Sequence, residues 1–443
     1  MFYGFRYFIL LPTALAFKWF GINDIAASFF PYLASLTNVV VVYLIGKKIW
    51  DARIATVAAF LLAVYPLDIS TANVLGPDSF IPLLSALSIL CFLSGEASAS
   101  KNGRMSFFIC AGIMISFAYM CRITSIFLFF SMALYLIYYR EYKIFLGIAA
   151  GLAIPLAVQA GYFLVQTGDP FFEITRITSE SIVKTISEDY DVGLLFYPRN
   201  MLGLELSGLA MFGFLWWFVL VGLVLLWKHR AKERVLLLIV CLVIPFLGFE
   251  FGFQSIKEGV LISKNPNYLS LITAPAILIG AYCLQKAFNG LRSNAGTLLV
   301  FAVAAVLMIT TAHVYGAYRM YRNVSDDAAP YIAVAAHLKS NPGSVVYTHH
   351  YRWPLFLKYF LRYNDAFYTF KTFKDLEMSG YCTFINSYIV LHRRYLKSDV
   401  RDRPVSQHLA YLEYEKNPPH HWKKVLSFQG TPLYNHVVLY EIK

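Results

Sequence analysis

Apolar stretches of about 20 residues recur in this chain from its start to about residue 318, and then stop. A stretch of that length is what an α-helix needs to cross the ~30 Å hydrocarbon core of a bilayer, and no ordinary soluble core buries so many of them. Composition agrees: 58% of the residues are hydrophobic and 14% are charged, against roughly 45–50% and about 25% in soluble domains. The chain reads as an α-helical polytopic membrane protein. Spans are expected near 27–46, 54–72, 79–95, 105–121, 124–139, 143–166, 206–227, 234–253, 268–285 and 295–318. The segment 3–20 carries Arg6, Pro12 and Lys18; it either crosses or lies in the interface as an amphipathic helix.

Basic residues fall in every second loop. Lys47, Lys48 and Arg53 are followed by Lys101 and Arg104, Arg140 and Lys143, Lys228, Arg230, Lys232 and Arg234, and then Lys286 and Arg292. By the positive-inside rule these loops are cytoplasmic. The intervening loops, 73–78, 167–205 and 254–267 among them, and the tail then face outward. The net charge of +12 is thus read as membrane orientation, with membrane lipids as surroundings and no nucleic acid as partner.

The tail changes character. Pro330 to Leu338 reads as a helix and 352–361 as an aromatic-rich one, while Ser344–Thr348, Ile389–Leu391, Val425–Phe428 and Val437–Glu441 read as strands. This predicts a multi-span domain over residues 1–322 and a small extracytoplasmic α/β domain over 323–443. Five of the six cysteines lie in or beside apolar runs, so no disulfide framework is implied. The histidine-rich tail carries no HExxH, and no CxxC, GxSxG or P-loop occurs.

Candidate chemistry gathers at the outward face. The stretch from Tyr65-Pro66-Leu67-Asp68 to Gly76-Pro77-Asp78 reads as a short loop between two spans, broken by two prolines and a glycine. Its acids are either solvated, with Asp78 capping the next helix, or functional, since a carboxylate at a membrane edge needs water, a cation or a partner. Arg122 interrupts the apolar run Phe117 to Phe127; it either snorkels to headgroups or binds an anion through its fork. Arg6, Lys257 and Lys264 are further outward cations, with a solvated loop as the alternative for the two lysines. An enzyme acting there on a lipid-linked phosphate needs a carboxylate as base or as ligand of a divalent metal cation, cations for the phosphate, and an apolar groove. Asp78 can supply the first, and Arg6, Arg122, Lys257 and Lys264 the second.

Several short runs, in order along the chain, carry a resemblance. Gly4-Phe5-Arg6-Tyr7 through Trp19-Phe20-Gly21-Ile22-Asn23, Tyr43-Leu44-Ile45-Gly46-Lys47-Lys48-Ile49-Trp50, the Pro66 and Pro77-Asp78 loop, Gly112 to Arg122, and Asn267-Tyr268-Leu269 with Pro275 together resemble the family 39 glycosyltransferases. These are the dolichyl-phosphate-mannose protein mannosyltransferases and the aminoarabinose transferases. The resemblance implies a membrane glycosyltransferase of the C type. It would move a sugar from a polyprenyl-phosphate-linked donor to a lipid, glycan or protein acceptor at the outer face, with Asp78 catalytic and Tyr268 beside the donor. Two departures stand out. In the family an additional span and a first acidic loop, which bears the catalytic carboxylate, precede the segment around Arg6, so a missing start and weak or absent activity of the chain as given are expected here. And Asn267 stands where arginine is usual, so Lys264 or Lys257 is expected to replace that charge unless it is lost. The alternative from another class is a transporter of lipid-linked sugars or a membrane assembly protein. A transporter would show internal repeats and ions at the midplane, and none is evident.

Overall fold

Prolines, glycines and short polar side chains cut the apolar stretches into helices, as seen in a computed structural model. It describes residues 7–72, 74–172, 174–175, 195–204, 208, 211–227, 233–255, 260–262, 264–291, 314, 316, 318, 329–348, 357–358, 361, 368–372, 387–392, 417–429 and 436–442. The chain divides into two compact units, Met1–Met320 and Tyr321–Lys443.

In the first unit the helices are α1 (Tyr7–Phe20), α2 (Asp24–Ile49), α3 (Ala52–Ala63), α4 (Pro66–Ala72), α5 (Pro77–Glu96) and α6 (Lys101–Cys121). A 3-10 turn over Ile123–Ser125 then leads into α7 (Ile126–Tyr138), α8 (Tyr142–Thr167), α9 (Phe196–Met201), α10 (Leu215–Trp227) and α11 (Glu233–Phe251). A small hairpin, β1 (Phe253–Ser255) and β2 (Val260–Leu261), a 3-10 segment over Pro266–Ile272 and α12 (Thr273–Leu291) complete it. The starts are capped where the sequence offers an acceptor: Asn23 takes the Ala26 N–H ahead of α2, and Asp51 takes those of Arg53 and Ile54 ahead of α3. Pro66 and Pro77 open α4 and α5, where the missing N–H costs nothing. Gly168 ends α8 in the left-handed region at φ 76°.

Among the described residues six helices are long and apolar enough to cross a membrane: α2, α5, α6, α8, residues Arg234–Phe251 of α11, and the stretch Pro266–Asn289. The pair α3 and α4, bent by 56° at Val64–Tyr65, is long and apolar enough only when the two are taken together, as a broken span or a re-entrant loop. The spans expected over 124–139 and 206–227 hold the shorter helices α7 and α10, and the one over 295–318 falls almost wholly outside the described residues. The expected loop at 65–78 is in part helical, because Pro66 starts a helix as readily as it stops one. α1, at 14 residues, rises ~21 Å, short of a full crossing.

One apolar core runs through this unit, from Ile9 to Tyr282. Large apolar side chains also cover its outside, such as Leu146, Val158 and Val165 on α8, which are 65%, 71% and 82% exposed. That surface suits lipid, not water. Close helix contact comes from small residues: a Cβ added at Gly112 of α6 would strike the Ile148 carbonyl of α8, and one at Gly151 of α8 would strike the Ile109 carbonyl of α6.

The second unit has a helix over 329–339 and a five-stranded sheet: β3 (Ser344–Thr348), β4 (Tyr368–Thr372), β5 (Ser387–His392), β6 (Trp422–Gln429) and β7 (His436–Ile442), in the order β4-β3-β5-β7-β6. β3 runs parallel to β4 and β5, and β7 antiparallel to β5 and β6. Alternate residues build two cores. Tyr388, Val390, Val437 and Leu439 pack with the helix residues Val334 and Leu338, while Ile389, Leu391, Val438 and Tyr440 pack with Trp422 on the other face. The strand β4 was not expected from sequence, and most of the helix expected over 352–361 lies outside the described residues.

Candidate functional site

Two helix ends bring the principal candidates together. Gly76, extended at φ −164°, precedes α5 and Pro77 opens it, so Asp78 lies in the first turn. No side chain caps this helix; the capping alternative for Asp78 is therefore set aside, and its carboxylate is turned elsewhere. Arg122 ends α6: its N–H still bonds the Ala118 carbonyl, but its own backbone is extended and the chain swings into the 3-10 turn. Its guanidinium Nη2 forms an ion pair with Asp78 Oδ1, and the two side chains keep only 12% and 15% of their surface exposed.

A third strand of chain completes the cluster. Arg122 Nη1 donates to the Asn267 carbonyl at 3.1 Å, and the Asn267 amide donates to Asp78 Oδ2 at 3.3 Å. The guanidinium carbon lies 4.7 Å from the centre of the Tyr268 ring, within cation–π range. Asn265 shapes this stretch by accepting the Asn267 N–H at 2.9 Å, an N-cap for the 3-10 segment. A planar guanidinium so placed is preorganised for a bidentate acceptor, and a part-buried site screens it little. In this arrangement the fork is shared between Asp78 Oδ1 and the Asn267 carbonyl, so another anion must compete with both.

Of the other candidates, Lys264 lies apart from this cluster. Lys264 points into protein: its ammonium is wholly buried, donates to the Phe249 carbonyl at 2.9 Å and to the Glu250 carbonyl, and lies 4.0 Å from Glu250 Oε1. Burial holds it below the usual lysine range, with the Glu250 charge opposing. It does not stand in for the arginine that Asn267 replaces. Arg6 and Lys257 lie outside the described residues. Asp68, expected in a solvated loop, is buried on α4 and accepts a hydrogen bond from the Ser35 hydroxyl of α2.

For a divalent cation the fit is poor. Among the described residues no three His, Cys, Asp or Glu side chains converge, and both Asp78 oxygens already accept from nitrogen donors. No step below is routed through a metal. Sequence reasoning missed Glu250 and Tyr197, which lie behind Lys264. The available signal for Glu250 was a lone carboxylate near the end of an apolar run, Leu247-Gly248-Phe249-Glu250-Phe251.

Residues 6–164 match the sequence profile of the dolichyl-phosphate-mannose-protein mannosyltransferases. No curated protein sequence matches the chain significantly. Among solved structures it is similar to ArnT from Cupriavidus metallidurans bound to undecaprenyl phosphate, with a TM-score of 0.61 at 14% identity over 98% of this chain and 87% of that one. It is also similar to the Archaeoglobus fulgidus oligosaccharyltransferase solved with zinc and sulfate, with a TM-score of 0.56 at 13% identity over 97% of this chain and 64% of that one. The bundle of helices, the appended sheet and the profile over the first third agree: this chain has the fold of the type-C membrane glycosyltransferases, with the mannosyltransferase sequence pattern over residues 6–164.

Proposed function

We propose that the chain transfers a sugar from a polyprenyl-phosphate-linked donor to an acceptor at the outer face of the membrane. The observation that carries this reading is the meeting of Asp78, Arg122 and Tyr268 at helix ends of an apolar, lipid-clad bundle. The basic loops on the opposite side support the outward orientation. ArnT, similar in fold, was solved with undecaprenyl phosphate, which supports a lipid phosphate as the ligand class.

In this mechanism the donor phosphate takes the fork of Arg122, and Tyr268 keeps the guanidinium in place from its ring face. Asp78, released from the pair, accepts a hydrogen bond from the acceptor nucleophile. The bond from the anomeric carbon to the phosphate oxygen breaks, the acceptor oxygen bonds to that carbon, and the acceptor proton passes to Asp78. The leaving phosphate keeps its electron pair beside Arg122.

The test is transfer by the purified chain, using a panel of undecaprenyl-phosphate-linked hexoses and pentoses with lipid, glycan and peptide acceptors. Transfer that needs both Asp78 and Arg122 supports the reading. Turnover unchanged in Asp78→Asn rejects it.

A further inference from the structure

The segment 264–268, which presents Asn267 and Tyr268 to the site, is gripped by a second polar cluster. Glu250, at the end of α11 and wholly buried, accepts the N–H groups of Leu195 and of Tyr197, the latter at 3.2 Å, and faces the Lys264 ammonium. The Tyr197 hydroxyl donates to the Asn265 carbonyl at 3.1 Å and receives the Asn265 N–H at 3.2 Å, so one hydroxyl fixes both backbone polar groups of that residue. The Lys264 ammonium also lies 5.6 Å from the Tyr197 ring centre. Asn265 in turn holds the Asn267 N–H. The bonds form an unbroken series from Glu250 through Tyr197 and Asn265 to Asn267, and from there to Asp78 and Arg122.

A buried ion pair is weak evidence for stability, because apolar residues of similar volume often serve folding as well or better. What this one does have is geometry: Glu250 accepts the backbone N–H groups of Leu195 and Tyr197, and Lys264, the first residue of the segment, donates to the Phe249 and Glu250 carbonyls at the end of α11. We infer that Glu250, Lys264 and Tyr197 are positioning residues, which set segment 264–268 so that Asn267 and Tyr268 meet Asp78 and Arg122 in the arrangement that takes a lipid phosphate. The ligand part of this inference rests on the reading of Arg122 given above.

The experiment uses the full chain in detergent, with two variants, Tyr197→Phe and the double Glu250→Gln/Lys264→Met. The double variant removes both buried charges together, so that neither is left unpaired. Three quantities are read: the melting temperature, amide hydrogen exchange over 264–268, and affinity for undecaprenyl phosphate. With melting temperatures close to wild type, both variants should exchange about tenfold faster in that segment and bind the probe about fivefold more weakly. A purely structural role would return affinity along with the melting temperature. Unchanged exchange and affinity in both variants would overturn the inference. If the wild type binds no undecaprenyl phosphate, the reading of Arg122 fails instead. Exchange over 264–268 then decides the positioning role alone: faster upholds it, unchanged overturns it.

Discussion

Arg122 pairs with Asp78 between the end of α6 and the first turn of α5, 44 residues apart in sequence, and the same guanidinium holds the Asn267 carbonyl. The pair joins the candidate base to the candidate phosphate ligand before any substrate arrives. An incoming phosphate would therefore do two things at once: satisfy Arg122 and set Asp78 free.

The pair should show strong coupling in a double-mutant cycle. Surface pairs are worth about 0–1 kcal/mol, and removing one partner of a buried pair costs about 3–5 kcal/mol. With 12% and 15% of the side chains exposed, Arg122→Gln is expected to cost about 2–3 kcal/mol. Asp78→Asn/Arg122→Gln should recover part of that loss. Thermal unfolding of the three variants in detergent checks it, and strictly additive effects would show that the pair contributes nothing.

Asp78→Asn should lower sugar transfer by about a hundredfold to ten-thousandfold, the range for loss of a general base. No helix cap is lost, since Gly76 precedes α5 without a side-chain cap. Arg122 keeps the Asn267 carbonyl and the Tyr268 ring, so the stability cost should stay near ~1–2 kcal/mol. Turnover assays beside unfolding curves separate the two effects.

Two glycines on α8 should respond in opposite ways. Gly151→Val drives a side chain into the Ile109 carbonyl of α6, and overpacking of this kind costs about 1–3 kcal/mol or more. A Cβ at Gly161 meets nothing within 4 Å, so Gly161→Ala should gain roughly 0.5–1 kcal/mol from helix propensity alone. Melting temperatures of the two variants in the same detergent test this contrast.

The proposed orientation predicts that a cysteine at position 78 is labelled from outside intact cells by an impermeant thiol reagent, and one at position 230 is not. The reverse pattern would turn the molecule over and place the reaction on the cytoplasmic side.

Much of this was legible in the residues. Apolar runs located the helices, short runs of β-branched and aromatic residues located β3, β5, β6 and β7, and Asp78 and Arg122 stood out as charges at the ends of apolar runs. That they contact each other was not legible, because helix ends follow from local sequence while their juxtaposition follows from packing between distant elements. Lys264 shows the same limit. A lysine beside Asn265 and Pro266 reads as a solvated loop residue, and only the buried Glu250 carboxylate explains why it turns inward. With Pro66 as a helix stop Asp68 reads as a loop acid; in the structure Pro66 opens α4 and carries Asp68 against Ser35. β4, with Tyr368-Thr369-Phe370-Lys371-Thr372, is five residues long and gains its place from pairing with β3.

The glycine contact between α6 and α8 also has a mechanical meaning. Where backbone meets backbone at Gly112 and Gly151, no layer of side chains is left to slide or to change rotamer, so the two helices act as a single stiff post. Arg122 stands at the tip of that post. The short segment 264–268 is braced instead by one backbone bond, from the Tyr268 N–H to the Asn265 carbonyl, and by side-chain bonds. A ligand pulling on the guanidinium would then load the bonds that hold 264–268 and leave the post in place, so the strength of those bonds sets how firmly the site keeps its shape.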